Sequence, residues 1–141
     1  MRVMAIDYGD VRTGLAVSDP SGILCGDAWT VEDWNAERLA ATIVSEASAR
    51  GVKTLVLGLP KNMDGTEGPR AEKSRFFRQL LLQNGAAEVV FWDERRSSIE
   101  AHQILHANGK REKKHRRNVD AVAASLILEA YLGSKNEAHN Y

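Results

Sequence analysis

The chain has a single cysteine, Cys25, so no disulfide can form within it. That usage suits a reducing compartment, where thiols stay free. No apolar run approaches the ~20 residues of a membrane-spanning helix. No secretory signal pattern is present either, because the first residues pass straight into an apolar stretch, Val3-Met4-Ala5-Ile6. A cytoplasmic protein with no membrane partner is expected. Net charge is also missing: 19 Lys and Arg balance 19 Asp and Glu. No global field draws the chain to nucleic acid or lipid, so any polyanion site has to be local. Internal repeats, low-complexity stretches and linkers are absent as well. At 141 residues and 43% hydrophobic content, the chain is long enough for one domain with its own core. That domain is expected over residues 1–134, with residues 135–141 as a disordered tail.

What is present begins with strands. Residues 2–7, 13–18 and 23–31 read as strands joined by short turns at Gly9-Asp10-Val11-Arg12 and Asp19-Pro20-Ser21-Gly22. Short turns imply antiparallel neighbours, since parallel ones need long crossovers. Residues 33–50 place Leu39, Ile43, Val44 and Ala47 at helical spacing, with Gly51 as a stop. A buried strand is expected over 52–59, a polar loop over 61–69, a helix over 70–83 and a fifth strand over 88–92. A further helix starts at Ser97 or Ser98 and runs to Asn108-Gly109. A basic segment follows, then a last helix from Asn118 to about Leu132. This order predicts an α/β fold. Its mixed five-stranded sheet has three antiparallel strands, then two reached through helical crossovers, and helices cover both faces.

Three acidic positions carry the chemistry. Asp7 ends the first strand and shares a face with Val3 and Ala5. Asp93 and Glu94 end the fifth strand and face opposite ways, so only one can join Asp7; Glu94 is favoured. Asp120 opens the last helix beside an apolar stripe of Val119, Val122, Ala123, Leu126, Ile127 and Ala130. Carboxylates at the ends of apolar strands are costly to desolvate unless something positive binds there. If the three converge, that something is a divalent metal, and such a site points to phosphodiester chemistry. Each residue also has a plainer role. Asp7 can bond its own turn. Asp93 and Glu94 can sit on a solvated turn. Asp120 can offset the helix macrodipole. The turn Asp7-Tyr8-Gly9 with Gly14 also occurs in the phosphate-binding turns of actin-like ATPases, which need a second such domain.

Basic residues surround these acids in sequence. Lys61, Asn62 and Arg70 lie on or beside the polar loop beyond a strand's carboxyl end, where α/β sheets bind ligands. Arg95 either holds a phosphate or pairs with the neighbouring acids. In Lys110-Arg111-Glu112-Lys113-Lys114-His115-Arg116-Arg117, six of eight residues are Lys or Arg. Lys113, Lys114, Arg116 and Arg117 would meet a polyanion near Asp120; a solvated charged loop is the alternative. His102 and His106 have the spacing of a zinc pair but lack a third ligand. Cys25 has no activating neighbour and reads as a packed thiol.

As a set, these motifs resemble the YqgF (RuvX) family of pre-16S rRNA nucleases, which is Holliday junction resolvase-like. The matching segments are Asp7-Tyr8-Gly9, Gly14-Leu15-Ala16-Val17-Ser18-Asp19, Gly58-Leu59-Pro60-Lys61-Asn62-Met63-Asp64-Gly65, Trp92-Asp93-Glu94-Arg95 with Ser97-Ser98, and Asp120-Ala121-Val122-Ala123-Ala124. The resemblance implies an RNase H-like fold and trimming of the 5′ end of the small-subunit rRNA precursor. It carries Asp7, Glu94 and Asp120 over as the acidic triad. Mg²⁺ or Mn²⁺ is the expected cofactor, and nucleic acid the partner, as precursor rRNA or branched DNA. A ribosomal subunit is a further candidate partner, and the state is a monomer or a homodimer. Two other readings stay open: a Holliday junction resolvase-like DNA endonuclease, and a non-catalytic rRNA- or ribosome-binding factor.

Overall fold

The computed structural model describes residues 1–96 and 119–139. The helix expected from Ser97 or Ser98, the histidine pair and the basic segment lie outside the described residues. The strands are β1 (Arg2–Asp7), β2 (Arg12–Ser18), β3 (Cys25–Glu32), β4 (Val52–Leu59) and β5 (Glu88–Asp93). The helices are α1 (Ala36–Ala49), α2 (Pro69–Gln83) and α3 (Val119–His139). One five-stranded sheet runs β3-β2-β1-β4-β5. β1 pairs antiparallel with β2, and β2 with β3; β4 lies parallel to β1 and to β5. This is the mixed arrangement expected from the turns and crossovers. No described helix is long and apolar enough to cross a membrane.

β1 is central and apolar on both sides, so its alternation sorts the two cores. Met4 and Ile6 turn to one face, where they pack with Leu15, Leu39, Ile43, Leu57 and Phe77 under α1 and α2. Val3 and Ala5 turn to the other, with Ala16, Val56, Trp92, Ala124 and Leu128 under α3. Helices thus cover both faces of the sheet. Tyr8 continues the first side and stacks on Phe77, ring centroids 4.1 Å apart.

Several boundaries differ from the sequence reading for local reasons. β3 begins at Cys25 rather than residue 23. Asp19 takes the Ile23 and Leu24 amides on its side-chain carboxylate, which prolongs the turn. α1 begins at Ala36 rather than 33, because Asn35 caps it by accepting the Arg38 amide at 2.9 Å. α2 opens on Pro69, a residue suited to a first helical position. α3 runs to His139 and so takes in residues 135–139. Its buried face is centred on Ala121, Ala124, Leu128 and Tyr131, not on Val122, Ala123 and Ala130. The sheet beneath offers Ala5, Gly14 and Ala16, so the helix comes in close on its own alanines.

Candidate active site

The end of the sheet where β1, β4 and β5 finish gathers the acids. Asp7 follows Val3 and Ala5 on the α3 side by strand alternation. Trp92 is buried on that side too, so Glu94, two positions on, returns to it. Asp93 points away and pairs with Arg95, Oδ2 to Nη2 2.6 Å. That ion pair holds the Asp93 carboxyl below its ordinary range. Asp7 and Glu94 share a hydrogen bond, and Asp120 lies close enough to act on Asp7 electrostatically. Among the described residues, no three His, Cys, Asp or Glu side chains stand together in a ready ion-binding group. The arrangement is therefore a carboxyl pair, with Asp120 half-buried beside it.

Two glycines make this possible. Asp7 lies opposite Gly14 on β2, and Gly58 follows Leu57, the β4 partner of Ile6. A Cβ on Gly58 would overlap the Glu94 Oε1 and crowd Ile127 Cδ1 at 3.0 Å. A Cβ on Gly14 would overlap the Asp120 carbonyl oxygen. Missing side chains on either side of Asp7 thus admit the Glu94 carboxyl and the first turn of α3. Gly58→Ala should push Glu94 off Asp7 and lower phosphodiester cleavage ~10-fold or more. The stability cost should stay within ~1–3 kcal/mol, since the far end of a side chain can move. Cleavage at the wild-type rate in this variant would mean that the Asp7–Glu94 contact is not needed.

Burial pushes the Asp7 carboxyl up to about 8, helped by Glu94 and then Asp120 and opposed by Arg70. Glu94 is raised by burial, against the Asp7 hydrogen bond and Arg70. The pair therefore favours one shared proton, with the larger push on Asp7. Asp120 is raised by burial against Arg12, which also pairs with Glu32 at 3.4 Å. Two oxygen-donor side chains clamping a proton at neutral pH are a site short of positive charge. The donor set fits a hard divalent cation. Mg²⁺ needs only one or two carboxylates when waters and substrate phosphates complete its shell.

The expected basic contacts divide. Arg70 is exposed and lies close enough to lower the pKa of both Asp7 and Glu94. Arg95 is tied to Asp93 and reaches the Met63 carbonyl at 3.4 Å. Asn62 is held within its loop by Thr66, Nδ2 to Oγ1 2.9 Å. Lys61 sits near Glu67 and Asp93 and lowers both. Lys113, Lys114, Arg116 and Arg117 fall outside the described residues. Reasoning from sequence missed the gap-making roles of Gly14 and Gly58. The only signal for them was a glycine inside each strand, a mark of close approach.

A mixed sheet of this order with helices on both faces is the RNase H-like architecture of RuvC-type resolvases. Two such solved structures share it. Thermus thermophilus RuvC in complex with a Holliday junction substrate aligns over 94% of this chain and 96% of its own, at 15% identity and TM-score 0.57. The fowlpox virus Holliday junction resolvase aligns over 95% and 99%, at 16% identity and TM-score 0.57. The family model described as "RuvX: Holliday junction resolvase" matches residues 1–134. Two relatives carry the name "Putative pre-16S rRNA nuclease". The Halothermothrix orenii protein is 39% identical over 99% of both chains. The Acetivibrio thermocellus protein is 41% identical over 97% of this chain and 99% of its own. The chain belongs to the RuvX (YqgF) family and is a nuclease, a hydrolase of phosphodiester bonds.

Proposed function

We propose that residues 1–134 act as one nuclease domain that processes the 5′ end of pre-16S rRNA in the cytoplasm with the help of Mg²⁺ or Mn²⁺. The observation that carries this reading is the half-buried Asp7–Glu94 carboxyl pair at the sheet end, with the first turn of α3 and Asp120 brought in beside it. Asp7, Glu94 and Asp120 would hold the ion, which supplies Lewis-acid activation of water and of the phosphate. Asp7 would lose its proton on holding the ion. Glu94 orients Asp7 from the floor left open by Gly58. Asp120 adds negative charge from the first turn of α3. Arg70, beside both carboxylates, meets the oxygens of the phosphate under attack. Lys61, Asn62 and Arg95 line the approach, and Lys113, Lys114, Arg116 and Arg117 supply further phosphate contacts. No side-chain nucleophile is required. A ribosomal subunit is the natural carrier of such a substrate, and the chain works as a monomer or a homodimer.

The family description favours a second reading, cleavage of a four-way DNA junction. The test sets a precursor 5′ rRNA segment beside such a junction, with Mn²⁺, Mg²⁺ or EDTA. We expect ion-dependent cutting of the RNA and an intact junction. Cutting of the junction alone would move the assignment to DNA. Tight RNA binding with neither substrate cut would make the protein a binding factor.

A further inference from the structure

Two cavities share Pro60 and Arg70 in their walls. One, of about 280 Å³, lies between the turn after β1 and the start of α2; Tyr8, Asp10, Arg70 and Lys73 line it. The other, of about 250 Å³, is lined by Lys61, Asn62, Pro69 and Arg70. Each is just below the ~300 Å³ at which small-molecule sites begin, so each suits one nucleotide and not more. Two unit-sized cavities that share the Arg70 wall can hold neighbouring units of one strand.

The first cavity carries a cation that the proposed hydrolysis does not use. Lys73 Nζ binds Asp10 Oδ1 at 2.9 Å, and both side chains are largely exposed. Exposed ion pairs contribute little to folding, so the ammonium can exchange Asp10 for another anion at small cost. Arg70 forms no hydrogen bond or ion pair with a described side chain. Among the side chains that line the cavity, Arg70 and Lys73 outnumber Asp10, while the Glu94 carboxylate acts on Arg70 from outside it. Ser74, buried beneath, already donates to the Arg70 carbonyl at 3.3 Å and adds no free donor.

We infer that the cavity between the β1–β2 turn and α2 is a subsite for the backbone phosphate next to the one cleaved on a continuous nucleic-acid strand. Lys73 is its positioning residue and Asp10 its competing anion. The inference rests on the nuclease reading for the identity of the strand, but its test needs no cleavage. Asp10 holds Lys73 at the cavity wall. An arriving diester phosphate displaces the carboxylate from the ammonium, and Arg70 grips the same strand one unit further on. The phosphate is recognised by charge and not by base, so the subsite fixes where the strand lies and not which sequence is cut.

The experiment is equilibrium binding of a fluorescent single-stranded RNA in EDTA at several salt concentrations. Wild type, Lys73→Gln and Asp10→Asn are compared, each first shown to be folded by thermal unfolding. Lys73→Gln should weaken binding on the order of 3- to 10-fold and reduce the salt slope by about 0.7–1. Asp10→Asn should tighten binding on the order of 2- to 5-fold, because it removes the competing anion. A purely structural ion pair predicts lower melting temperatures in both variants and no opposed change in affinity; that result would overturn the inference. The RNA is used with a 5′-hydroxyl and with a 5′-phosphate. Equal losses in Lys73→Gln support an internal phosphate, and a loss confined to the 5′-phosphorylated strand would replace it with a terminal one. Unchanged binding in a protein that still cuts RNA would reject the subsite and leave the nuclease reading intact. The opposed shifts in a protein that cuts nothing would reject only that reading.

Discussion

Asp7→Asn should lose at least ~10³-fold of its cleavage rate and still melt higher than wild type at pH 8 in the absence of divalent ions. Both effects come from one carboxyl. Its folded value near 8 stands far above the ordinary 3.8. The folded chain thus prefers the protonated form. This group favours folding fully below about pH 4, and that contribution is lost as pH rises through about 8. Asparagine keeps the shape and a donor for Glu94 but does not ionise, so it avoids that loss. The difference should vanish near pH 4 and reach a few kcal/mol at most at pH 8. Thermal unfolding across this range, with cleavage assayed in parallel, separates the two effects. A variant that melts lower than wild type at pH 8 would show that Asp7 is a structural residue. A variant that cuts normally would remove it from the chemistry.

Gly14→Ala should cost ~3 kcal/mol or more and reduce cleavage with it. The new Cβ would overlap the Asp120 backbone carbonyl. Backbone cannot rotate aside as the Glu94 side chain can, so the whole first turn of α3 must lift from β2. Asp120 then moves away from Asp7, and the packing of Ala121 and Ala124 loosens behind it. A matched control lies on the same helix. Gly133 has nothing within 4 Å of an added Cβ. Gly133→Ala should therefore stabilise the protein by up to ~1 kcal/mol through helix propensity alone. Chemical denaturation of the two variants gives opposite signs if close approach is the reason for Gly14. Two small changes of the same sign would mean that α3 is free to shift.

The strand alternation that sorts the core also sorts the acids, which is why much of the site can be read in one dimension. Val3, Ala5 and Asp7 follow one parity, Trp92 and Glu94 another, and both lead to the α3 side. The same rule separates Glu94 from Asp93, which the structure ties to Arg95. Short turns and helical crossovers likewise fix which strands are antiparallel. What stays hidden depends on surfaces that meet far apart in the chain. The face of α3 cannot be read from its apolar residues, because Val122 and Ala123 compete with Ala124 and Leu128. The choice is made by the glycine and alanines of β1 and β2 beneath. Asp10 and Lys73, separated by 63 positions, meet only because α2 returns alongside the β1–β2 turn. Gly58 reads as an ordinary strand residue until Glu94 is seen lying over it.

The most direct test of the acidic pair as a divalent-ion site is calorimetric titration of the protein with Mn²⁺ at pH 7. It is run in two buffers of different ionisation enthalpy, with wild type and Asp7→Asn. Burial and the neighbouring carboxyls favour the protonated Asp7 near neutral pH, so an ion held by Asp7 would take the proton's place. If the acidic pair is the ion site, wild type should release about one proton per ion, its affinity should strengthen as pH rises toward 8, and Asp7→Asn should lose both. Wild-type binding with no proton release, or equal binding by the variant, would contradict it.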